Sequence, residues 1–180
     1  MYSQTRQEDI KEAMTIYQGT YLSPLGDITL QSDGQHITAL YFVGQKYDGT
    51  LLDGTFLPFE GHDLYKRATT WLTAYFEGKN PPPTSLPLAP KGTAFQRRVW
   101  QKLQHIPYGK VTTYGTIAAM IAEENGQDHF SAQAVGSAVG HNPLSILIPC
   151  HRVVGKKGSL TGYAGGLDRK EWLLHHEKNT

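Results

Sequence analysis

Apolar and polar positions fall into a recognisable pattern from Ile28 onward. Ile28-Thr29-Leu30 and Ile37-Thr38-Ala39-Leu40-Tyr41-Phe42 flank Asp33-Gly34. Two short runs rich in β-branched and aromatic residues, parted by a turn dipeptide, predict an antiparallel strand pair. The period then changes. Leu64, Ala68, Trp71, Leu72, Tyr75 and Phe76 recur at helical spacing, with Gly78 just beyond as a stop. The first fifteen or so residues are polar and aperiodic, which predicts a loosely held extension, drawn as residues 1–18.

Pro81, Pro82, Pro83, Pro87 and Pro90 crowd the stretch that follows. Proline fixes its own φ and donates no hydrogen bond, so the run suits neither helix interior nor central strand. It predicts a linker over 79–90 between a small domain at 19–78 and a second at 91–180. In the second, Thr93 and Gln96 form a capping-box signature ahead of the apolar stripe Phe95, Val99, Leu103 and Ile106. Pro107-Tyr108-Gly109 ends that helix. Further helices are expected from Thr113 through Ile117, Ala118 and Ile121, and from Ser131 through Val135 and Val139. Two short helices in succession suggest a helix-turn-helix, although the connection from Glu123 to Phe130 is longer than the usual turn. Ala132, Ala134, Gly136, Ser137, Ala138 and Gly140 give the last helix a face almost without side chains. Such a face admits a nucleic-acid groove or a neighbouring helix equally well.

The 180 residues are 39% hydrophobic, enough for a packed core, and carry neither a secretory signal pattern nor a long apolar run. A cytoplasmic location is expected. The net charge of +1 hides an asymmetry: residues 1–90 hold 6 Lys/Arg against 10 Asp/Glu, and 91–180 hold 11 against 6. A basic half points to a polyanion such as nucleic acid, with ordinary surface charge as the bland alternative.

Cysteine occurs once, at Cys150, which excludes an internal disulfide and a thiolate-rich zinc site. A lone cysteine is by default a small buried hydrophobe. Here Ile146 to Ile148 read as a short buried strand that Pro149 ends just before the thiol. A free thiol titrates near pH ~8.5, so a nucleophile at neutral pH needs a base or cations nearby. His151, Arg152, Lys156 and Lys157 are all close in sequence.

Asn142-Pro143 followed by Pro149-Cys150-His151-Arg152-Val153 resembles the active-site signature of the O6-alkylguanine-DNA alkyltransferases. The helix start at Phe95 to Trp100, the run Ile106 to Gly115, Ala134-Val135-Gly136, Gly162 to Gly166 and Lys170 to Glu177 are similar to that family in the same order. The resemblance covers essentially all of 91–180 and, more faintly, the first half. It implies an α+β architecture, with an RNase H-like sheet-plus-helix domain and a mainly helical domain carrying a helix-turn-helix. It implies transfer of an alkyl group from O6-alkylguanine, and from O4-methylthymine, in double-stranded DNA to Cys150, once per molecule, without cofactor or metal and as a monomer.

By position the resemblance makes Cys150, His151 and Glu177 a proton relay, with the carboxylate orienting the imidazole and favouring its protonated form. It assigns Tyr114 to the N3 of the departing guanine and the backbone amide of Ala164 to the oxygen, an arrangement like an oxyanion hole. Asn142 ties the cysteine turn to the helix-turn-helix or caps the preceding helix. Tyr163, Gly165, Val153, Ser145 and Lys170 fall to substrate binding. Thr113, Ala132, Gln133, Ala134, Gly136, Ser137 and Arg152 fall to DNA, with the base flipped out and the second helix in the minor groove.

The chain departs from the family pattern at four places. Ser145 stands where some relatives have a proline that packs on bulky substituents, and the helix connection carries Glu123, Glu124 and Asp128, which suit phosphate poorly. Some relatives hold zinc in the first domain, whereas His36 and His62 here read as surface or turn residues. Rival classes are a non-catalytic binder of alkylated DNA, against which Cys150 argues, a Cys-His hydrolase that turns over, and a self-alkylating transcriptional switch. The most consequential departure is Gln133, where the family most often has an arginine that fills the gap left by the extruded base. Glutamine lacks the cation and the wide planar surface. Gln133→Arg is expected to tighten DNA binding and steepen its salt dependence by about one phosphate contact; an unchanged salt slope in titrations would refute this.

Overall fold

The computed structural model describes residues 14–46 and 54–180, so residues 1–13 of the expected extension lie outside the described residues. β1 (Thr15–Ser23), β2 (Gly26–Ser32) and β3 (Ile37–Phe42) form an antiparallel meander. β4 (Thr55–Pro58) joins β1 in parallel, giving the order β3-β2-β1-β4. β2 and β3 are the strand pair read from the sequence. β1 is a correction, because Thr15 to Gln18 pair in the sheet and do not belong to an extension. Gly19 breaks its apolar pattern for a packing reason: a Cβ there would stand 2.7 Å from Cε2 of Tyr65.

α1 (Asp63–Phe76) covers the sheet with Leu64, Ala68, Trp71, Leu72 and Tyr75, and Gly78 follows it at φ 77°. The proline stretch is not a free spacer. It runs along the outer edge of β3, where Ile37 N donates to Pro87 O at 2.8 Å and Ala89 N to Ile37 O at 3.0 Å. Carbonyls on a proline-rich chain can still accept, so this run closes an edge that would otherwise be open. Farther along the same edge, Leu40 N donates to Pro143 O and Ser145 N to Leu40 O, each at 2.8 Å. One strand of the first half thereby anchors the segment that leads to Cys150. A single apolar cluster runs through both halves of the chain.

In the second half, α2 (Ala94–Leu103) starts with the full capping box between Thr93 and Gln96. α3 (Tyr114–Asn125) and α4 (Ala132–Gly140) are capped by the side chains of Thr113 and Ser131, as the sequence suggests. β5 (Thr112–Thr113) pairs in parallel with β6 (Val153–Val154), and α5 (Leu167–Lys178) closes the fold. α2 docks on α4 through Trp100, whose Nε1 donates to Ala138 O at 2.8 Å. The α3–α4 connection occupies 126–131 and opens with Gly126 at φ 64°. Glu123 and Glu124 therefore belong to α3, not to the loop, and Glu124 pairs with Arg98 at 2.6 Å and with Lys102. These partners turn the acidic charge toward α2. His36 is half-buried beside Asp33, and His62 precedes α1 with its ring on Tyr17.

Loss of the hydroxyl in Thr93→Ala leaves the Gln96 amide without its cap. A stability loss of about 1 kcal/mol is expected from urea unfolding midpoints, and an unchanged midpoint would show that the box contributes nothing.

Candidate active site

The chain reaches Cys150 through two consecutive tight turns. Leu147 N donates to Ser145 O at 2.8 Å around Ile146, whose φ is 68°, a γ-turn with a left-handed centre. Cys150 N then donates to Ile148 O at 2.8 Å around Pro149 (φ −79°, ψ 64°), an inverse γ-turn. The strand expected at Ile146 to Ile148 is thus absent. An apolar run reports burial, and burial here is met by enclosure rather than by a ladder. A buried β-branched residue at positive φ is strained, and it persists only where its surroundings over-determine it. Asn142 supplies much of that constraint. It follows His141, the C-cap of α4, donates from Nδ2 to Ile148 O at 2.8 Å and accepts Leu144 N at 3.0 Å.

Cys150, His151 and Arg152 form one short 3-10 turn, and all three are buried. Glu177, near the end of α5, meets them. Its Oε1 accepts from His151 Nε2 at 2.6 Å and Arg152 Nη2 at 3.0 Å; its Oε2 accepts from Arg152 Nε at 2.8 Å and Gly109 N at 3.2 Å. Tyr75, from α1, adds its hydroxyl to Oε1 at 2.7 Å. Burial pushes the Glu177 carboxyl up, but the hydrogen bonds of His151 and Arg152 and the Arg152 charge outweigh it and hold the group well below the usual carboxylate range. An ionised carboxylate only accepts, so His151 Nε2 carries the proton and Nδ1 bears a lone pair. That Nδ1 is buried and has no partner among the described residues.

Burial lowers the His151 pKa, and Arg152 and Lys170 add to the effect against the pull of Glu177. The carboxylate does favour imidazolium, as expected, but burial outweighs it and the resting imidazole is neutral. Burial also raises the Cys150 thiol, countered in part by the Asn142 side chain and the Lys170 charge. The thiol is therefore not ionised in advance by cations. Of the expected neighbours, Arg152 is committed to Glu177 and Ile106 O, while Lys156 and Lys157 are exposed.

In front of the turn lies a cavity of about 1050 Å³ between α3, α4 and the loop at 161–164. Thr113, Tyr114, Ala132, Gln133, Gly136, Ser137, Tyr163 and Ala164 all line it, as assigned from sequence. Lys46, His141 and Lys156 also line it, and only Lys156 had been singled out, for its nearness to the cysteine. The small-residue face of α4 opens to this cavity, and a Cβ on Gly140 would meet nothing within 4 Å. Ala138 and Val139 turn instead to the core. Cys150 lies beneath the wall, 6% exposed, within electrostatic reach of Tyr114 and Tyr163. The Tyr114 hydroxyl donates to Thr161 O at 3.0 Å, and the buried Tyr163 hydroxyl has no partner among the described residues. Gly165 is required for packing, since a Cβ would stand 2.8 Å from the Tyr163 ring.

Several assigned residues are not in the cavity. Arg152 is buried on Glu177 and Ile106 and does not line the cavity. Val153 is buried in β6, Ser145 is buried beneath Tyr163, and Ala134 lies outside the lining. Lys170 is fully buried and donates to the carbonyls of Val153, Thr161 and Gly162 at 2.6, 3.0 and 3.2 Å. It braces the loop that walls the cavity, and burial pulls its pKa down to about 8.

Removing the Glu177 charge strands Arg152 in the interior. Glu177→Gln is expected to cost about 3–5 kcal/mol at neutral pH, read from denaturant unfolding. Because the folded pKa of Glu177 is depressed, its contribution is complete above the ordinary carboxylate range and fades as pH falls through the folded value. The gap between the two proteins should therefore narrow below about pH 4; a gap independent of pH would contradict the assignment.

The chain matches the family described as 6-O-methylguanine DNA methyltransferase in both its parts, the ribonuclease-like domain over residues 16–90 and the DNA binding domain over 94–179. It is 38% identical over 163 residues to a methylated-DNA–protein-cysteine methyltransferase of Haemophilus influenzae, covering 91% of this chain and 87% of that one. A protein of the same name from Mycolicibacterium paratuberculosis is 43% identical over 156 residues, covering 87% and 88%. The crystal structure of Mycobacterium tuberculosis OGT in complex with DNA superposes with a TM-score of 0.76 at 40% identity, covering 92% of this chain and 93% of that one. With the likeness extending through both halves and the cysteine turn, the chain belongs to the methylated-DNA–protein-cysteine methyltransferase family.

Proposed function

We propose that this protein binds double-stranded DNA containing O6-alkylguanine and moves the alkyl group to Cys150, one group per molecule, with O4-methylthymine as a second substrate. It acts as a cytoplasmic monomer without cofactor. The observation that carries the reading is a neutral cysteine and histidine in one buried turn, backed by an ionised Glu177, beside an open cavity roomy enough to admit a nucleobase. Extrusion of the base into that cavity costs a few kcal/mol, which the contacts made there must offset.

The thiol proton passes to His151 Nδ1, directly or through water, while Nε2 remains bonded to Glu177. The imidazolium that forms lies against a carboxylate, which limits the cost of separating charge in a buried site. Sulfur attacks the alkyl carbon in line, the S–C bond forms, and the C–O6 bond breaks with its electron pair staying on guanine. Guanine leaves as an anion or takes a proton as it departs, and the proton released by the thiol balances it. Tyr114 donates to the ring once its hydroxyl leaves Thr161 O, a role supported by its place in the cavity lining. The cavity wall at Ala164 supplies the amide for the oxygen. The product is a thioether with no leaving group for water to displace, so the protein is consumed.

Intact-mass analysis after mixing with an O6-methylguanine duplex should find one methyl per chain, on Cys150, and none on Cys150→Ser. Product in excess of protein would make it a turnover enzyme. Binding of the damaged duplex without any adduct would make it a lesion-binding protein.

A further inference from the structure

Tyr75 belongs to the ribonuclease-like half, 102 positions from Glu177, and no motif of the cysteine site includes it. Its side chain is nevertheless 1% exposed and its hydroxyl reaches Glu177 Oε1, the oxygen that also holds His151. The ring is fixed on every side. It stacks on Trp71 at 5.6 Å, meets Tyr108 edge-on at 6.1 Å, and His176 of α5 donates a ring N–H to the Tyr75 carbonyl at 2.8 Å. A hydroxyl held so firmly in the interior and spent on one carboxylate oxygen is not explained by packing, because phenylalanine would fill the same space.

We propose that Tyr75 is a positioning residue for alkyl transfer, which sets through Glu177 how readily His151 accepts the thiol proton. The inference rests on the reading of Cys150 as the alkyl acceptor. Its physical basis is competition for one oxygen. Negative charge on Oε1 is shared among Tyr75, His151 and Arg152, so each hydrogen bond withdrawn concentrates it on the remaining donors. Without the phenol, Glu177 pulls harder on the His151 N–H, the imidazolium is favoured, and the neutral base is lost at a higher pH.

The other groups facing this pair are accounted for. Arg152 and Cys150 share the turn of His151, and Lys170 faces it from α5. Tyr163 faces Glu177 from the cavity loop, and Gly109 offers its amide from the turn after α2. Tyr108 lies under the Arg152 guanidinium at 5.6 Å. Arginine keeps its charge throughout, and burial holds both tyrosine phenols, Tyr75 and Tyr163, protonated across the neutral range. Lys170 titrates near 8, above the acid limb that the inference concerns.

The test is the pH dependence of the single-turnover rate on an O6-methylguanine duplex, with the His151 imidazole titrated in parallel by NMR. In Tyr75→Phe the acid limb and the His151 titration should both move up by about half a pH unit or more. Placing 3-fluorotyrosine at position 75 makes a stronger donor of the same shape and should move both the opposite way. The fluorinated chain also decides the matter if Tyr75→Phe fails to fold. Limbs and titrations that coincide with wild type overturn the inference, as does a rate loss uniform across pH. If wild type itself forms no Cys150 adduct, the alkyl-transfer reading fails, and the NMR titration still reports on the link from Tyr75 to His151.

Discussion

The buried carboxylate of Glu177 is the constraint around which this molecule is arranged. An anion inside a protein is tolerable only if its desolvation is offset by opposite charge and by hydrogen bonds to its lone pairs. Glu177 obtains these from three places at once: the Cys150 to Arg152 turn, the Gly109 turn and α1. Moving any one of them leaves a charge or a polar group unsatisfied. The carboxylate thus acts as a keystone that couples the docking of α5 and α1 to the placement of the imidazole beside the nucleophile.

The two halves divide the task in a way that the proline stretch conceals. The sheet half acts on the cysteine segment through the β3 edge, which holds Pro143 and Ser145 through Leu40, and the same edge holds the proline run through Ile37. Residues entering the strained turn at Ile146 are therefore pinned by a strand, and those leaving it by Asn142 and the β5-β6 ladder. Strain at one residue survives because every neighbour is fixed by a partner elsewhere. The thiol is presented by a backbone with little freedom to relax, which suits an in-line displacement that tolerates small errors of position poorly.

Much of this was legible in the sequence where a local cause dominates. The caps at Thr93, Thr113 and Ser131, the stop at Gly78 and the stripes of α1 and α2 are set within a few residues, and each is found as read. Cys150, His151 and Glu177 came from motif likeness, and the structure places the last two in contact. What stayed hidden depends on distant partners. β1 carries Gly19 because Tyr65 needs the space, so its own pattern is interrupted. Arg152 looks like a DNA contact in a basic segment, and only the return of α5 shows that its charge is spent inside. Motif likeness gives Lys170 to substrate, and only the fold shows its ammonium spent on the carbonyls of Val153, Thr161 and Gly162. Tyr75 reads as one more core aromatic. No spacing announces that its hydroxyl ends on a carboxylate from the far end of the chain.

A resting thiol raised by burial and a resting imidazole lowered by it look at first like the wrong settings for a nucleophile. They are consistent with the proposed single use of the thiol. A thiolate held ready in a buried pocket would need permanent compensation and would be open to oxidation throughout the life of the molecule. A neutral pair needs neither, and the alkylated product is neutral as well, so no state before or after reaction leaves an uncompensated charge at Cys150. In the proposed reaction, charge is separated only while the base occupies the cavity. At that moment Glu177 is already ionised and already in place, so little of the polar surroundings has to reorganise. The electrostatic cost of activation is thereby moved from the nucleophile to the fold. It is met in advance by Arg152, Gly109 and Tyr75, which hold the carboxylate whether or not DNA is present.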